Sequence, residues 1–254
     1  MKNFSAIRYT LYAVAFAFFF TSCKKDDAAT DNTTQLDLKD VAYGADPLQK
    51  MDVYLPAGRS QANTYTLVMV HGGSWAGGDK ADFNADITNV RSMLGNYAIF
   101  NINYRLANGS SVTLPQLVAD VDAAFEFIAG KAAHYNINTG KMAVMGASAG
   151  GHLALLKAYK SNTNGRIKAV VDLFGPTDLA WMYTNHPQPA FSQLIIGNLM
   201  ATTPRPILHC MLVEALSTML PPQHRPPLFF MARQTKLYPW AKASVCLPNC
   251  KTQA

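Results

Sequence analysis

The stretch Met142-Ala-Val-Met-Gly-Ala-Ser-Ala-Gly-Gly-His-Leu-Ala-Leu-Leu156 decides how this chain folds. Its first residues, Met142 to Met145, read as a buried strand. Gly146-Ala147-Ser148-Ala149-Gly150 turns a corner, and the helical pattern from Ala149 to Tyr159 follows without a break. Gly-x-Ser-x-Gly between a buried strand and a helix predicts a sharp turn that forces Ser148 into strained backbone geometry. The residues two before and two after must then be nearly free of side chain, which Gly146 and Gly150 are. Such a turn lifts the Ser148 hydroxyl clear of the sheet and sets a helix N-terminus beneath it. The N–H of Ala149 would then face an oxyanion formed by attack on a carbonyl.

Working outward, Tyr65–His71, Tyr97–Tyr104 and Ile167–Gly175 are further apolar runs of the buried-strand type. Met51, Val53 and Leu55 alternate with polar residues and close on Pro56, as a strand before a turn does. Residues 81–94 can form a helix. Pro115 starts another, with Val118, Val121, Phe125 and Ile128 on one face. Strands alternating with helices predict an α/β fold, a doubly wound and mostly parallel sheet covered on both faces. No internal repeat is present. The 254 residues, 49% of them hydrophobic, suit one sizeable core.

The run His71-Gly-Gly-Ser-Trp-Ala-Gly-Gly-Asp-Lys80 follows the first buried strand, where a serine hydrolase needs its other oxyanion donors. Gly72 and Gly73 let the backbone approach a substrate, with the N–H groups of Gly73 and Ser74 facing it. His71 reads as a turn-fixing residue, Trp75 as a packing wall, and Asp79-Lys80 as a solvated surface pair.

Together, YGADPLQKMDVYLP, HGGSWAGGDK, NYRLA, GASAGGHLALL and VVDLFGPTDL resemble the α/β-hydrolase fold over about residues 39–197. More narrowly they resemble the HGG-type esterases related to hormone-sensitive lipase, including bacterial lipoprotein esterases similar to acetylxylan and feruloyl esterases. The resemblance implies a carboxylesterase-type serine hydrolase with Ser148 as nucleophile and Gly73, Ser74 and Ala149 as oxyanion donors. It implies no cofactor and no metal, and small acyl esters, including acylated polysaccharide, as substrates. Arg105, Asp120 and Asp122 lie in matching stretches and read as structural.

Ser148 needs a histidine base oriented by an acid, in the order Ser, Asp/Glu, His. After it the acids are Asp172, Asp178 and Glu214, and the histidines beyond His152 of the serine motif itself are His186, His209 and His224, none in a family-like context. Past Gly197 there are eight prolines, three cysteines, no aspartate and no clean period. Rereading the codons of Pro226–Pro239 from their third base permits P-T-(L/I)-F-H-G-T-A-D-K-T-V-P. That string resembles the acid-bearing strand and loop of the family. Residues 198–254 are therefore expected to be an out-of-frame tail without a domain, leaving the catalytic acid and base absent. The competing readings are a catalytically inactive envelope lipoprotein or glycan-binding remnant, and an arylformamidase-like amide hydrolase.

At the N-terminus, Lys2 and Arg8 precede the apolar run Leu11–Phe20, then Thr21-Ser22-Cys23 and a polar stretch. This resembles a bacterial lipoprotein box: a signal peptide over 1–22, lipidation at Cys23, a polar tether over 23–38, and a lipid-anchored place in the cell envelope. The net charge of +6 sits mostly in residues 198–254, where six Lys/Arg meet one acid among prolines and apolar runs. So scattered a charge makes no nucleic-acid surface. Cys210, Cys246 and Cys250 have no metal-ligand spacing.

Overall fold

A computed structural model describes residues 29–201 and 228–232. The signal peptide, Cys23, Glu214, His209, His224 and the three later cysteines lie outside the described residues. Seven strands form one sheet in the order β1-β2-β4-β3-β5-β6-β7. They are β1 Leu36–Ala42, β2 Lys50–Leu55, β3 Tyr65–Val70, β4 Tyr97–Ile102, β5 Met142–Ala147, β6 Ile167–Leu173 and β7 Leu228–Ala232. From β4 onward along the sheet all pairs are parallel, and β2 joins β1 and β4 antiparallel.

The helices are α1 Asn84–Met93, α2 Leu114–Gly130, the single turn α3 Ala132–Tyr135, α4 Ala149–Tyr159, α5 Leu179–Asn185 and α6 Pro189–Met200. A 3-10 turn at Lys80–Phe83 leads into α1. β3 explains why its sequence is continuously apolar. Val68 and Val70 pack into the larger core with α2 and α4, while Leu67 and Met69 pack into a second core with Phe83, Ile87 and Val90. Both faces are covered, so neither needs polar residues.

Two expectations need correction. The tether proposed for residues 23–38 is shorter, because β1 begins at Leu36 and Thr30–Thr34 are already bonded to the domain. β2 is the strand its alternation predicts, and its polar positions are buried too: Asp52 and Tyr54 are 2% and 5% exposed. Ion pairing makes the burial of Asp52 tolerable. Finally, where the sequence past Gly197 shows no clean period, α6 runs on to Met200, and residues 228–232 pair parallel with Ala169–Leu173 of β6. A parallel strand asks only for a short extended run whose backbone can bond an open edge, and Leu228-Phe-Phe-Met-Ala232 is long enough.

Candidate active site

Ser148 stands at the C-terminal end of β5, as the N-cap of α4, with φ 52° and ψ −119°. Such a conformation costs a non-glycine residue about 1–3 kcal/mol and persists only where the surroundings impose it. Here the Ser148 N–H donates to Leu173 O at 2.8 Å, and Ser148 O accepts from His152 N at 3.1 Å. Its hydroxyl caps no N–H of its own helix, unlike an ordinary N-cap serine. Ala149, buried, is the first helical residue.

The segment after β3 lies directly against this corner. A Cβ placed on Gly72 would come within 3.3 Å of Ser148 Cβ and 2.9 Å of Ala147 O. Gly73 follows at φ +108°, where a Cβ would strike Gly77 O at 2.2 Å. Ser74 and Trp75 then take φ 53° and 61°, so three successive residues sit in the left-handed region. The structure thus brings Gly73, Ser74 and Ala149 to the same end of the sheet as Ser148, in two elements that touch.

What holds this strained loop comes mainly from β4 and the segment after it. Tyr104 OH donates to His71 O at 3.0 Å, and its ring stacks on His71 with centroids 4.4 Å apart. Ala107 N donates to Trp75 O at 2.8 Å. At the far end Lys80 N donates to Asn103 Oδ1, Asn101 Nδ2 donates to Lys80 O, and Asn103 Nδ2 donates to Asp79 Oδ2, at 2.5, 2.6 and 2.7 Å. Arg105 fixes that segment in turn by gripping Asp120 through its backbone N, Nε and Nη2. Asp122 pairs with Lys157 at 2.7 Å. The structural reading of Arg105, Asp120 and Asp122 agrees with these contacts.

Lys80 is not a solvated surface residue. It is 8% exposed, and its ammonium lies 3.0 Å from both Asp52 and Asp40. Burial alone would lower its pKa, but the two carboxylates outweigh it and raise it. Burial likewise pushes Asp52 up, and hydrogen bonds from Lys39, Asp40 N–H and Lys80 bring it below the usual carboxylate range. Lys80→Met should therefore cost roughly 2–4 kcal/mol, since it strips a buried carboxylate of a partner. Adding Asp52→Asn should recover at least half. Urea unfolding of the two variants checks this, and a neutral Lys80→Met would show that the pair does not hold the loop.

Beneath the corner, Trp75 is 1% exposed and packs edge-on against His152 with centroids 5.5 Å apart. His71 Nδ1 lies 2.7 Å from Gly72 O, so it carries the proton. Burial holds His71 and His152 neutral, His152 down to about 4. His186 Nδ1 accepts from Gln188 N at 3.0 Å, and Asp178 caps α5 through Trp181 N. Among the described residues, none brings an imidazole into hydrogen-bond contact with Ser148.

Asp172 was not singled out by the sequence as anything but an unsuited acid. It is fully buried in β6, level with Gly146, and its Oδ1 accepts from Gly175 N at 2.8 Å while Oδ2 has no partner. Burial, only partly opposed by the Gly175 N–H, raises its pKa to about 6. A raised carboxyl favours the fold below its unfolded pKa and loses that contribution as pH rises through 6. The depressed His152 does the opposite, its contribution appearing as pH rises from 4 toward 6.5. The two slopes oppose each other. Asp172→Asn should remove one of them, so that stability climbs with pH between about 4 and 6 by something on the order of 2 kcal/mol more than in the parent. Thermal melts of both proteins across that range read the difference; parallel curves would refute it.

Comparison with known proteins gives the family and the fold. A family model described as BD-FAE matches residues 51–230, into β7 and 33 residues beyond Gly197, correcting the expectation that the family pattern stops there. Esterase LipC of Mycobacterium tuberculosis is 27% identical over 161 residues, 59% of this chain. The chain spans 39% of that relative's length. Esterase B of Lactobacillus rhamnosis superposes with a TM-score of 0.60 at 19% identity, covering 91% of this chain and 75% of that one. A bifunctional GH43-CE protein of Bacteroides eggerthii gives 0.62 at 23%, over 80% and 30%. The fold is that of the α/β-hydrolases.

Proposed function

The chain belongs to the BD-FAE family, and from that membership we propose that it is built as a serine-dependent carboxylic ester hydrolase. Ser148 is the nucleophile, and Gly73, Ser74 and Ala149 supply the oxyanion N–H groups. The observation that carries the reading is the strained Ser148 at φ 52°, pressed against Gly72 of a loop that is itself strained and pinned at both ends. A fold keeps such a corner when something must attack from it. In the attack, the Ser148 hydroxyl adds to the ester carbonyl carbon, its proton passes to a base, and the carbonyl oxygen becomes an oxyanion facing the donors. Departure of the alcohol leaves an acyl-serine, which water then hydrolyses.

The base and acid are lost here through a change of reading frame, and the chain is impaired as it stands. The sheet register bears on where the missing acid would stand. Ala147, Leu173 and Ala232 are level across β5, β6 and β7. Neighbouring strands stand about 4.8 Å apart, so a residue shortly after Ala232 emerges about 10 Å from Ser148 along the same edge. The reread string delivers its aspartate at codons 234–235. The chain has Arg233, Gln234 and Thr235 there, and the family match ends at residue 230.

The natural substrates are acyl esters carried on polysaccharide, a class that accords with a carbohydrate esterase from gut microbiota whose fold this chain shares. Cys23 carries a lipid that holds the domain at the cell envelope. Hydrolysis of p-nitrophenyl acetate, and not of N-formylkynurenine, by the frame-restored protein tests the reaction class. The reverse preference would make it an amide hydrolase, and failure on both would leave an envelope protein without this chemistry.

A further inference from the structure

The segment that leads out of the domain toward Cys23 is fastened at one pole. Arg59, 1% exposed, spends its guanidinium on it: Nη2 donates to Thr30 Oγ1 at 2.8 Å and to Asp31 O, and Nη1 donates to Thr34 O at 2.8 Å. Its Nε donates to Tyr135 O at 3.0 Å, tying the same point to α3. Thr30 N and Oγ1 both donate to His134 O, at 2.8 and 3.0 Å, and Gly58 N donates to Asn32 O at 2.7 Å. A buried guanidinium whose donors are met by this many carbonyls is costly to strip, so the docking is part of the fold.

That pole is the bottom of the sheet. Asn138 N donates to Thr64 O at 2.7 Å, immediately before β3, and Thr66 Oγ1 donates to Asn138 O at 3.0 Å, just before β5. β3 and β5 run parallel from there, and Ser148 and Gly72 stand at their far ends. Six residues of strand separate the two levels by about 17 Å, with loops beyond on either side.

We infer that the anchored protein holds its Ser148 pole facing away from the membrane, so that the ester it takes is borne on a molecule outside the bilayer and not on a membrane lipid. The inference rests on the proposed lipid at Cys23 and on Ser148 as nucleophile. Its reasoning is a length comparison. From Cys23 to Thr30 the chain has seven steps, at most about 25 Å however it runs. A domain of this size is about 45 Å across. Seating the Ser148 pole on the bilayer would lift Thr30 farther from it than those residues reach. Retention of the apolar run Leu11–Phe20 as an anchor, in place of a lipid, adds only a few residues and leaves the same pole nearest the membrane.

The test uses the full-length lipidated protein in phospholipid vesicles doped with a rhodamine-labelled lipid. A coumarin amino acid replaces either Gln61, exposed in the loop before β3, or Phe174, exposed and next to Leu173, whose carbonyl accepts from Ser148 N. Energy transfer to the lipid should be several-fold stronger from position 61 than from 174, and Cys23→Ala should abolish it at both. Equal or stronger transfer from 174 overturns the orientation while leaving anchoring intact. Transfer from neither position overturns anchoring and the orientation with it. With the frame restored, acetylated polysaccharide in solution should be deacylated while phospholipid of the same vesicles is spared; the opposite preference refutes the substrate class. Inactivity on both would strike at Ser148 chemistry, with the energy-transfer result still deciding the orientation.

Discussion

Hydrolysis of short acyl esters by the chain as it stands should lie about three to six orders of magnitude below that of the same protein with its frame restored near codon 198. A serine hydroxyl is a weak nucleophile until a base takes its proton, and no described imidazole touches Ser148. His71 and His152 are not idle candidates. Their rings are packed on Tyr104 and Trp75 and held neutral by burial. A residual rate of about 10³-fold over water is still expected, because oxyanion donors and binding act without the base. If the proposed change of frame is right, restoring it should return an H-G-T-A-D loop after β7, and Ser148→Ala in the restored protein should then abolish activity. Steady-state rates on p-nitrophenyl acetate for the three proteins decide the matter. Normal rates from the unrestored chain, lost on Ser148→Ala, would sink the claim of a missing triad. His209 or His224, both outside the described residues, would then have to serve as the base.

The elements that build the corner were legible because one physical demand left one pattern. β3, β4, β5 and β6 are covered on both faces, so their sequences are continuous apolar runs, and α4 begins at Ala149, where Gly-x-Ser-x-Gly predicts. The supports were harder to read. Asn101 and Asn103 both sit in the run YAIFNINY, and only the rule that buried amides must be bonded marks them as holding something. What they hold, the backbone of Lys80 and the carboxylate of Asp79, is more than 20 residues away in sequence. Lys80 misled for a related reason. A charged pair beside glycines looks solvated until the partner is known, and that partner, Asp52, comes from a different strand. β1 was missed because LDLKDVA carries three charges on an edge strand that is mostly open to solvent, where alternation is weak. Docking of Thr30–Thr34 depends on Arg59, whose role no local pattern announces.

Gly150→Ala should unfold the protein or leave it insoluble, a loss of more than about 4 kcal/mol. An added Cβ would sit 2.1 Å from Val70 O and 2.3 Å from His71 O, backbone atoms at the end of the central strand β3. No rotamer relieves such a contact, so α4 would have to leave the sheet. Gly146→Ala meets the same fate from the other side, 2.1 Å from Gly150 O. Gly197→Ala is the contrast. It lies inside α6 with nothing within 4 Å of the new methyl, and should raise stability by about 0.5–1 kcal/mol through helix propensity alone. Urea unfolding followed by circular dichroism orders the three proteins. A Gly150→Ala midpoint equal to the parent's would mean that β3, β5 and α4 do not pack as closely as described, and the strained Ser148 would lose the surroundings that impose it. An ordinary strand-to-helix turn has no need of two glycines crushed against backbone with a strained serine between them. What the crowding holds in place is Ser148 itself, at φ 52° and with its Cβ against Gly72.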